Sequence, residues 1–421
     1  MDCVLEPRKS IAYDRDTIDM FNHMLPFNSS NSVASRIIAG GSELASRTMS
    51  PIPFDYKNKI ILALHGGGSR GYVAYSIIKS LRNDLKLDKK EILPVDMIAG
   101  VSVGALVGGV EALGLTEVFD FRKTSRSFFV PNEEYCLWHC IKKLINAIPV
   151  VNWLSSPLSF IDYHLSIQNM IRKTPFVNSL CFGSIPFLRG YLFPKYSSSA
   201  KFRAIENIFG DNTLADLKTH FCVPVADTQN KELRIIDSAG NPDLLLKDVL
   251  QATTAAPTFF NPHCFVTRDV LTEFADGGIV DNNPSDIAFC QAKTKFPHSN
   301  IKIISIGNGE GSIDAASPSW KSRNLMFYGN TLPLYMMATS SNKTSNMMSA
   351  ISKSDPHVEY IEISPTFDEN LIKMDMTDDA FFEKISNNAL KSCSTNCSYA
   401  YNTAKQLLQN ARTSVVNGYM L

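Results

Sequence analysis

Apolar runs and helical periodicities alternate through the middle of the chain. Short apolar runs at residues 60–64 and 95–99 predict buried strands, and helical periodicity follows each of them, at 72–85 and 103–113. Strands that alternate with helices in this order are typical of a mostly parallel sheet covered by helices. The pattern therefore predicts an α/β fold.

The flanking regions differ from this middle part. Residues 1–56 contain turn-forming residues without periodicity, which predicts an N-terminal extension. Beyond residue 366 the pattern becomes helical, which predicts a helical tail. Further strands are predicted at 221–226, 234–236 and 301–306, and further helices at 244–254, 381–390 and 400–412.

Acidic and basic side chains balance each other. The chain has 41 Lys and Arg against 41 Asp and Glu, a formal net charge of zero, so no basic excess indicates a nucleic-acid partner. Residues 1–10 lack the apolar core of a signal peptide, and no run of about 18 uncharged apolar residues occurs. We expect a soluble protein whose contact with membranes is peripheral.

The nine cysteines are scattered along the chain. Cys136, His139 and Cys140 are spaced to share a helix face, as metal ligands would be, but no second cluster has metal-site spacing. Reduced thiols in a reducing compartment are the simpler interpretation. We predict no metal site.

Within residues 137–171, an apolar helical stripe is combined with Trp138, Lys142 and Lys143. An amphipathic helix of this kind can lie on a lipid surface. The same stripe can also pack against the sheet as an ordinary core helix. Both interpretations stay open.

Ser102 lies between a predicted strand and a predicted helix, in the pattern G-x-S-x-G formed with Gly100 and Gly104. In a nucleophile elbow a strained turn exposes the serine, and small neighbours remove clashes. The helix N-terminus would favour developing negative charge. The alternative is an ordinary helix N-cap serine, and the motif alone does not decide between them.

Three consecutive glycines, Gly66, Gly67 and Gly68, likewise separate a strand from a helix. They allow close approach of the backbone to a substrate and can turn N–H groups inward, as an oxyanion hole requires. With Gly71 they also fit a dinucleotide fingerprint, but no acidic residue closes a second strand at the required distance. We favour the oxyanion hole.

A reactive serine needs a proton acceptor. Asp276 precedes Gly277 and Gly278, which would let a tight turn hold its carboxylate beside Ser102, although Asp-Gly pairs are also common in ordinary turns. A histidine-dependent hydrolase would instead use a late histidine, and His298 and His357 are the candidates.

These motifs resemble those of the patatin-like phospholipases, in that family's order and spacing. The glycine cluster, the serine elbow and the Asp-Gly-Gly turn all have counterparts there, and the resemblance covers roughly residues 60–310. Further similar segments are 209–217, 252–260, 276–284 (DGGIVDNNP) and 305–309.

The resemblance implies a three-layer α/β fold and a Ser–Asp dyad without histidine, metal or cofactor. Ser102 would attack a fatty acyl ester and Asp276 would accept its proton. The oxyanion would be held by Gly66, Gly67, Gly68 and Arg70. The family's motif glycines correspond to Gly71, Gly100, Gly104, Gly277 and Gly278.

One position departs from the family pattern: His65 stands where an aspartate is common. The position precedes the glycines, so the difference concerns local geometry more than activity. The domain organisation implied is an extension at 1–56, a patatin-like catalytic domain at 57–310, and a C-terminal region at 311–421 that completes the fold and adds a tail.

We therefore expect a phospholipase A or lysophospholipase acting on phospholipid membrane surfaces. The alternatives are a neutral acylglycerol lipase, a nucleotide-activated bacterial defence phospholipase and a catalytically silent lipid- or partner-binding scaffold. The intact Ser102 and Asp276 argue against the last of these.

The flanking segments, and the lack of a signal peptide, indicate a conditional enzyme. We expect a bacterial effector, delivered into a host cell by a dedicated secretion system and activated by ubiquitin or another host protein. A cytoplasmic enzyme remains compatible with the same sequence features.

Overall fold

The computed structural model describes residues 57–132, 194–267, 269–311, 325–367 and 374–418. The expected extension at 1–56 and the region at 137–171 with its apolar stripe lie outside the described residues. The cysteine pair Cys136 and Cys140, with His139, lies outside them as well.

Eight strands form a mixed sheet in the order β5-β6-β3-β2-β1-β7-β9, with β4 paired to β3. Strands β1, β2, β3, β7 and β9 pair in parallel, whereas β4, β5 and β6 form antiparallel pairs. Short strands β8 and β10 form a separate parallel pair. The strands are β1 Lys57–Leu64, β2 Met97–Gly100, β3 His220–Asp227, β4 Glu232–Asp237, β5 His263–Thr267, β6 Val270–Asp276, β7 Ser299–Ile306, β8 Glu310–Gly311, β9 Val358–Ile363 and β10 Thr366–Phe367.

Nine α-helices are described alongside these strands. Several α-helices begin at a side-chain cap, for example α8, where the Asp378 carboxylate accepts the N–H of Phe381 at 2.8 Å. The helices are α1 Tyr72–Asp84, α2 Val103–Leu113, α3 Phe121–Phe128, α4 Ser198–Phe209, α5 Leu246–Thr253, α6 Ser285–Lys295, α7 Leu325–Ser354, α8 Asp379–Ser394 and α9 Ser398–Gly418.

Helices cover both faces of the sheet. Successive strand residues point to opposite faces, so a strand buried on both sides is a continuous apolar run, as in β1. On one face Ile61 packs in a cluster with Ala288 of α6 and Met348 of α7. On the other face Leu62 belongs to the larger core, which includes Ile77 of α1. The three-layer α/β fold with a mostly parallel sheet is thereby confirmed.

The β3 strand brings two other strands together end to end. Its one edge is occupied by β4, because Cys222 to Asp227 pair with Asp237 to Glu232. On the opposite edge β2 pairs with the first half of β3 and β6 with the second half, in opposite directions. The carboxyl ends of β2 and β6 therefore meet beside the middle of β3.

The predicted strands and helices are confirmed with small shifts at their ends. The predicted strand at 95–99 begins at Met97, and the helix predicted at 244–254 begins at Leu246. Elements without a sequence prediction are the β5–β6 hairpin, the strands β8, β9 and β10, and helices α3, α4, α6 and α7. Of the helices in the described ranges, none is both long and apolar enough to cross a membrane.

Candidate active site

The Ser102 side chain stands at a strained turn between β2 and α2. Its backbone has φ 54° and ψ −128°, in the left-handed half of conformational space that a residue with a side chain rarely adopts. A side-chain carbon at Gly104 would lie 2.3 Å from the Leu64 carbonyl oxygen, and one at Gly100 would lie 2.6 Å from the Ala105 backbone. The two glycines therefore permit the turn to form against β1.

Asp276 is the last residue of β6 and reaches Ser102 across the junction of β2 and β6. The Ser102 hydroxyl donates to the Asp276 carboxylate, with 2.6 Å between Oγ and Oδ2. The other carboxylate oxygen accepts the Gly278 N–H at 2.8 Å. A side chain at Gly277 would come within 2.3 Å of the Pro224 carbonyl oxygen, so the glycine lets the turn pack on β3.

Both polar side chains of this pair are buried. Ser102 is 7% exposed and Asp276 is 2% exposed. Burial raises the pKa of Asp276 to about 6, although the hydrogen bonds from Ser102 and Gly278 and the charge of Lys201 oppose the rise. A carboxyl group with its pKa near neutrality is matched to exchange protons at physiological pH.

The glycine loop, residues 66–68, follows β1 beside the serine. The Gly66 N–H donates to the Asn282 carbonyl at 3.1 Å, so the expectation that it faces an oxyanion does not match this conformation. A side chain at Gly66 would lie 3.3 Å from the Ser102 Cβ, which shows how closely this backbone approaches the serine. Within the described ranges, the N–H groups of Gly67 and Gly68 have no protein acceptor.

Arg70 is buried but turned toward a neighbouring loop. Its guanidinium Nη1 donates to the Gly309 carbonyl at 2.8 Å. Gly71 packs against the start of α2, because a side chain there would lie 2.4 Å from a methyl group of Val103. Both residues therefore join the glycine loop to its surroundings.

An apolar cavity of about 270 Å³ opens beside the serine. Ser102, Asp276 and Gly68 lie in its wall, so the hydroxyl and the loop face the same space. The remaining lining is mainly aromatic and aliphatic, and includes Leu106, Phe121, Phe128, Phe129, Phe259, Phe260, Ile279, Met336 and Met374.

Two contributors to this site were missed by the sequence analysis. Thr253, at the end of α5, accepts the Ser102 backbone N–H at 3.1 Å and donates to the Pro224 carbonyl at 2.9 Å. The ammonium group of Lys201 in α4 donates to the Gln251 carbonyl and to the Thr254 hydroxyl, next to Thr253 in the chain. Thr253 belongs to the similar segment 252–260, which was a signal for it, whereas nothing in the sequence around Lys201 indicated its position.

The histidine-dependent alternative is not supported by the positions of the candidates. His298 precedes β7, whose opposite end at Ile306 pairs with Leu64 near the serine, about 23 Å away at strand spacing. His357 lies at the same distant end, with its ring nitrogen 2.8 Å from the Asn300 side chain. None of the described residues lining the cavity is a histidine.

His65 has a structural role beside the loop. Its ring Nε2 lies 2.8 Å from the Ser305 hydroxyl, and burial lowers its pKa to about 3, so the ring is neutral. The Asn308 side chain donates to its carbonyl at 2.5 Å. Elsewhere in the described ranges, no group of three or more His, Cys, Asp or Glu side chains is arranged to hold a metal ion.

Comparisons with known proteins identify the family of this sequence. Residues 62–289, more than half of the chain, match the family described as patatin-like phospholipase. A cGAMP-activated phospholipase of Vibrio cholerae serotype O1 is 27% identical over 70% of this chain and 78% of its own length. A cGAMP-activated phospholipase of Escherichia coli strain TW11681 is 27% identical over 68% and 74%, respectively.

The similarity to solved structures is weaker. The crystal structure of VipD from Legionella pneumophila aligns over 83% of this chain and 67% of that chain. The two are 14% identical and the TM-score is 0.32, which is too low to support any inference.

Proposed function

Since the chain belongs to the patatin-like phospholipase family, whose members are lipid acyl hydrolases, we propose that it cleaves fatty acyl esters of membrane phospholipids through Ser102 and Asp276. The observation that carries this proposal is the 2.6 Å hydrogen bond between the two side chains at the wall of an apolar cavity. A nucleophile, its proton acceptor and a space for an acyl chain are thereby adjacent.

In the proposed acylation step the Ser102 oxygen attacks the ester carbonyl carbon while its proton passes to Asp276. The carbonyl electrons move onto the oxygen and form a tetrahedral oxyanion. When the oxyanion collapses, the bond to the alcohol breaks and the leaving oxygen takes the proton from Asp276. The acyl group then remains on Ser102 as an ester.

Hydrolysis of this acyl-enzyme would use the same two residues. A water molecule loses a proton to Asp276 and attacks the acyl carbon, which forms a second oxyanion. The Ser102 oxygen leaves with the proton that Asp276 held, and the fatty acid is released. Asp276 returns to its ionised state, so one ester bond is hydrolysed without a net change in the enzyme.

We assign the oxyanion to the N–H groups of Gly67 and Gly68. These amides have no protein acceptor in the described ranges, and Gly68 faces the cavity with Ser102. Fixed backbone donors stabilise charge that develops in the transition state without reorganising. Gly66 would contribute its small size and Arg70 would hold the loop in place rather than contact the oxyanion.

The lining of the cavity favours binding of an acyl ester over binding of a polar substrate. Its lining is dominated by Phe, Leu, Ile and Met side chains, which gain free energy by burying hydrocarbon. The rim includes Ile279 and Met336, which are 38% and 52% exposed. An exposed apolar rim around an apolar cavity suits entry of a chain from a lipid surface.

Release of fatty acid from vesicles of phosphatidylethanolamine and phosphatidylglycerol tests the proposal. The purified full chain is compared with Ser102→Ala, and with Ser76→Ala as a matched control because Ser76 lies in α1 away from the cavity. Each protein is assayed alone and with eukaryotic cell extract or cGAMP, and we expect fatty acid above the background of these additives from the wild type and Ser76→Ala only. Hydrolysis of an emulsified triacylglycerol but not of vesicles would favour the neutral acylglycerol lipase.

We further propose that this activity is conditional on a partner. The Vibrio cholerae and Escherichia coli relatives are named as cGAMP-activated, which favours nucleotide activation as the second candidate. Activation by ubiquitin or another host protein, with delivery of the chain into a host cell, is the candidate that the sequence analysis favoured. In either setting the chain would act peripherally at a phospholipid surface.

A further inference from the structure

A lysine is fully buried behind the cavity wall. Lys201 of α4 has no exposed surface. Its ammonium group donates to the Gln251 carbonyl at 3.1 Å and to the Thr254 hydroxyl at 2.9 Å, and lies 4.3 Å from the centre of the Phe260 ring. These contacts hold the ammonium in one position, but a buried positive charge is costly without a negative partner.

The contacts of Lys201 converge on the turn that also holds Asp276. Thr254 and Phe260 line the cavity together with Asp276. Between them, Ala255 accepts the Asp276 backbone N–H at 3.1 Å. The Lys201 ammonium and the Asp276 backbone therefore both bond to one short segment, residues 251–260.

The two groups act on each other electrostatically inside the protein. Burial lowers the pKa of Lys201 to about 7, and the charge of Asp276 opposes this shift. In return, the positive charge of Lys201 opposes the rise that burial imposes on the pKa of Asp276. Low effective dielectric strengthens such an interaction relative to one at the surface.

Other charged side chains on the neighbouring helices have different surroundings. Arg122 and Arg126 of α3 pair with Asp379, Lys247 of α5 pairs with Glu206 and Asp211, and Asp248 lies 2.8 Å from His263. Lys123 and Arg203 are exposed. Asp281 and Asp286 follow Asp276 along the chain, and the Asp281 carboxylate accepts hydrogen bonds from Ser340 and Thr344. In the described ranges, Lys201 is the side chain whose charge acts on Asp276.

We propose that Lys201 is a positioning residue for the hydrolysis: its buried positive charge keeps Asp276 ionised, and so able to accept the Ser102 proton, under mildly acidic conditions. This inference rests on the proposed function of Ser102 and Asp276. Lys201 transfers no proton in this scheme and acts only through the carboxylate.

The pH range of the effect follows from the two groups. Below about pH 7 Lys201 carries its charge and helps Asp276 to ionise. Above that range Lys201 loses its proton, but Asp276 is ionised by then because its pKa is about 6. Loss of the lysine should therefore impair activity on the acidic side and spare it on the alkaline side.

The test measures kcat/KM against pH with the soluble ester p-nitrophenyl butyrate. Lys201→Gln removes the charge but keeps hydrogen-bond donors, whereas Lys201→Met removes both. We expect both variants to shift the acidic limb upward by about one pH unit, a loss of about tenfold near pH 5.5, and to approach wild type near pH 8.5. Lys247→Gln is the matched control, because Lys247 also links α4 and α5 but does not contact this turn.

Several outcomes would overturn the inference. An equal loss at every pH, or a loss in Lys201→Met with a wild-type limb in Lys201→Gln, would make Lys201 merely structural. Wild-type chain that hydrolyses no ester, either alone or with eukaryotic cell extract or cGAMP, would overturn the proposed function and the inference with it, whereas an active wild type with unshifted variants overturns the inference alone.

If neither variant folds, the carboxyl carbon of Asp276 in the wild type is titrated by ¹³C NMR. We expect its chemical shift to follow its own ionisation and to respond again when Lys201 loses its proton, as coupled groups do. A single inflection would overturn the inference.

Discussion

The two residues proposed to carry the chemistry are held in unfavourable states. Ser102 has a strained backbone, and Asp276 is a carboxyl group buried where its charged form is disfavoured. Strain and desolvation of this kind cost stability and persist only where the surrounding structure imposes them. The contacts from Thr253, Gly278 and the β3 strand supply that constraint.

Removing either member of the pair should remove the activity. Because the Ser102 attack and the proton transfer to Asp276 are one step, Ser102→Ala, Asp276→Ala and the double variant should show nearly equal losses. Steady-state hydrolysis of p-nitrophenyl butyrate, with thermal unfolding to verify the fold, measures this. Activity retained in Asp276→Ala would mean that another group accepts the proton.

Ionised Asp276 should also destabilise the folded protein. Its carboxyl pKa is raised from 3.8 to about 6, so this unfavourable contribution appears as pH rises through that interval and is fully present above about pH 6. Asp276→Asn should therefore raise the free energy of unfolding at pH 8 by up to about 3 kcal/mol and have little effect near pH 4. Urea unfolding at the two pH values measures the difference.

Asp227 offers a control of opposite sign. It is also buried, but hydrogen bonds from Asn230 and the charge of Arg234 outweigh burial and lower its pKa. Ionised Asp227 therefore stabilises the fold at pH 8, and this contribution is lost as pH falls. Asp227→Asn should destabilise at pH 8, so a stabilising effect there would show that the pH argument is wrong.

At the scale of elements, the loops after β1 and β2 are built against each other. Gly71 packs on Val103, and Gly104 packs on the carbonyls of Leu64 and His65. The serine turn and the glycine loop are therefore packed against each other, which would hold the proposed donors and nucleophile at a fixed separation. Such preorganisation is what stabilises a transition state more than a bound substrate.

Gly67→Ala is the cleanest test of the glycine loop. Gly67 has φ 162°, which other residues adopt, and the added carbon would lie 3.0 Å from the buried Asn308 side chain, so the loop or Asn308 must shift. Alanine keeps its N–H, so the variant would act by displacing this donor; if the loop donates to the oxyanion, kcat should fall by up to about 100- to 1000-fold with KM little changed. A change in KM alone would indicate binding of the ground state instead.

Gly68→Ala is less informative at the same loop. Gly68 has φ 60°, and a side-chain carbon there would lie 2.2 Å from the Met374 carbonyl oxygen. Loss of activity in that variant would mix strain in the fold with displacement of the backbone donor. The comparison of Gly67→Ala with Gly68→Ala by thermal unfolding separates the two effects.

At the scale of the whole molecule, the sheet continues well beyond the segment that carries the site. β9 joins the edge of the sheet beside β7, α8 packs on α1, and α9 packs on α8 and β9. The late part of the chain therefore supports the helical layer that contains the larger core. It contributes to the fold and, through Met336 and Met374, to the wall of the cavity beside Ser102.

The whole chain should be poorly active on vesicles without an activator. A ligand that binds only the competent conformation raises activity by shifting the population toward it. We expect at least about tenfold stimulation by eukaryotic cell extract or purified ubiquitin. cGAMP is added in a separate reaction, and stimulation by it alone would assign the chain to the nucleotide-activated class.

Two matched reactions make this measurement decisive. Ser102→Ala with extract corrects for hydrolysis by the extract itself, and bacterial extract tests whether the activator is eukaryotic. Rates of the wild type that neither extract, ubiquitin nor cGAMP increases would contradict conditional activity while leaving the hydrolase proposal intact.

The local pattern of the sequence was sufficient to predict the α/β class and most of the buried strands and helices. β1 and β2 were predicted because strands buried on both faces are continuous apolar runs, and α1 and α2 because their apolar positions recur at helical spacing. The β9 strand was not predicted because charged side chains interrupt its apolar positions, and the β5–β6 hairpin was not predicted because much of it is exposed. The candidate catalytic positions were recognisable in the sequence because the strained turns that hold them require glycine.

Which of these residues come into contact depends on the tertiary structure. Ser102 and Asp276 are separated by 174 positions, and they touch because β2 and β6 pair with successive halves of β3. The same packing directs the Gly66 N–H to the Asn282 carbonyl and places His298 and His357 at the distant end of the sheet. It also places Lys201 against the segment that bonds to the Asp276 backbone. Local propensity acts over a few residues, whereas strand register and burial act across the whole chain, so charge and hydrogen-bond partners at the site follow from the fold.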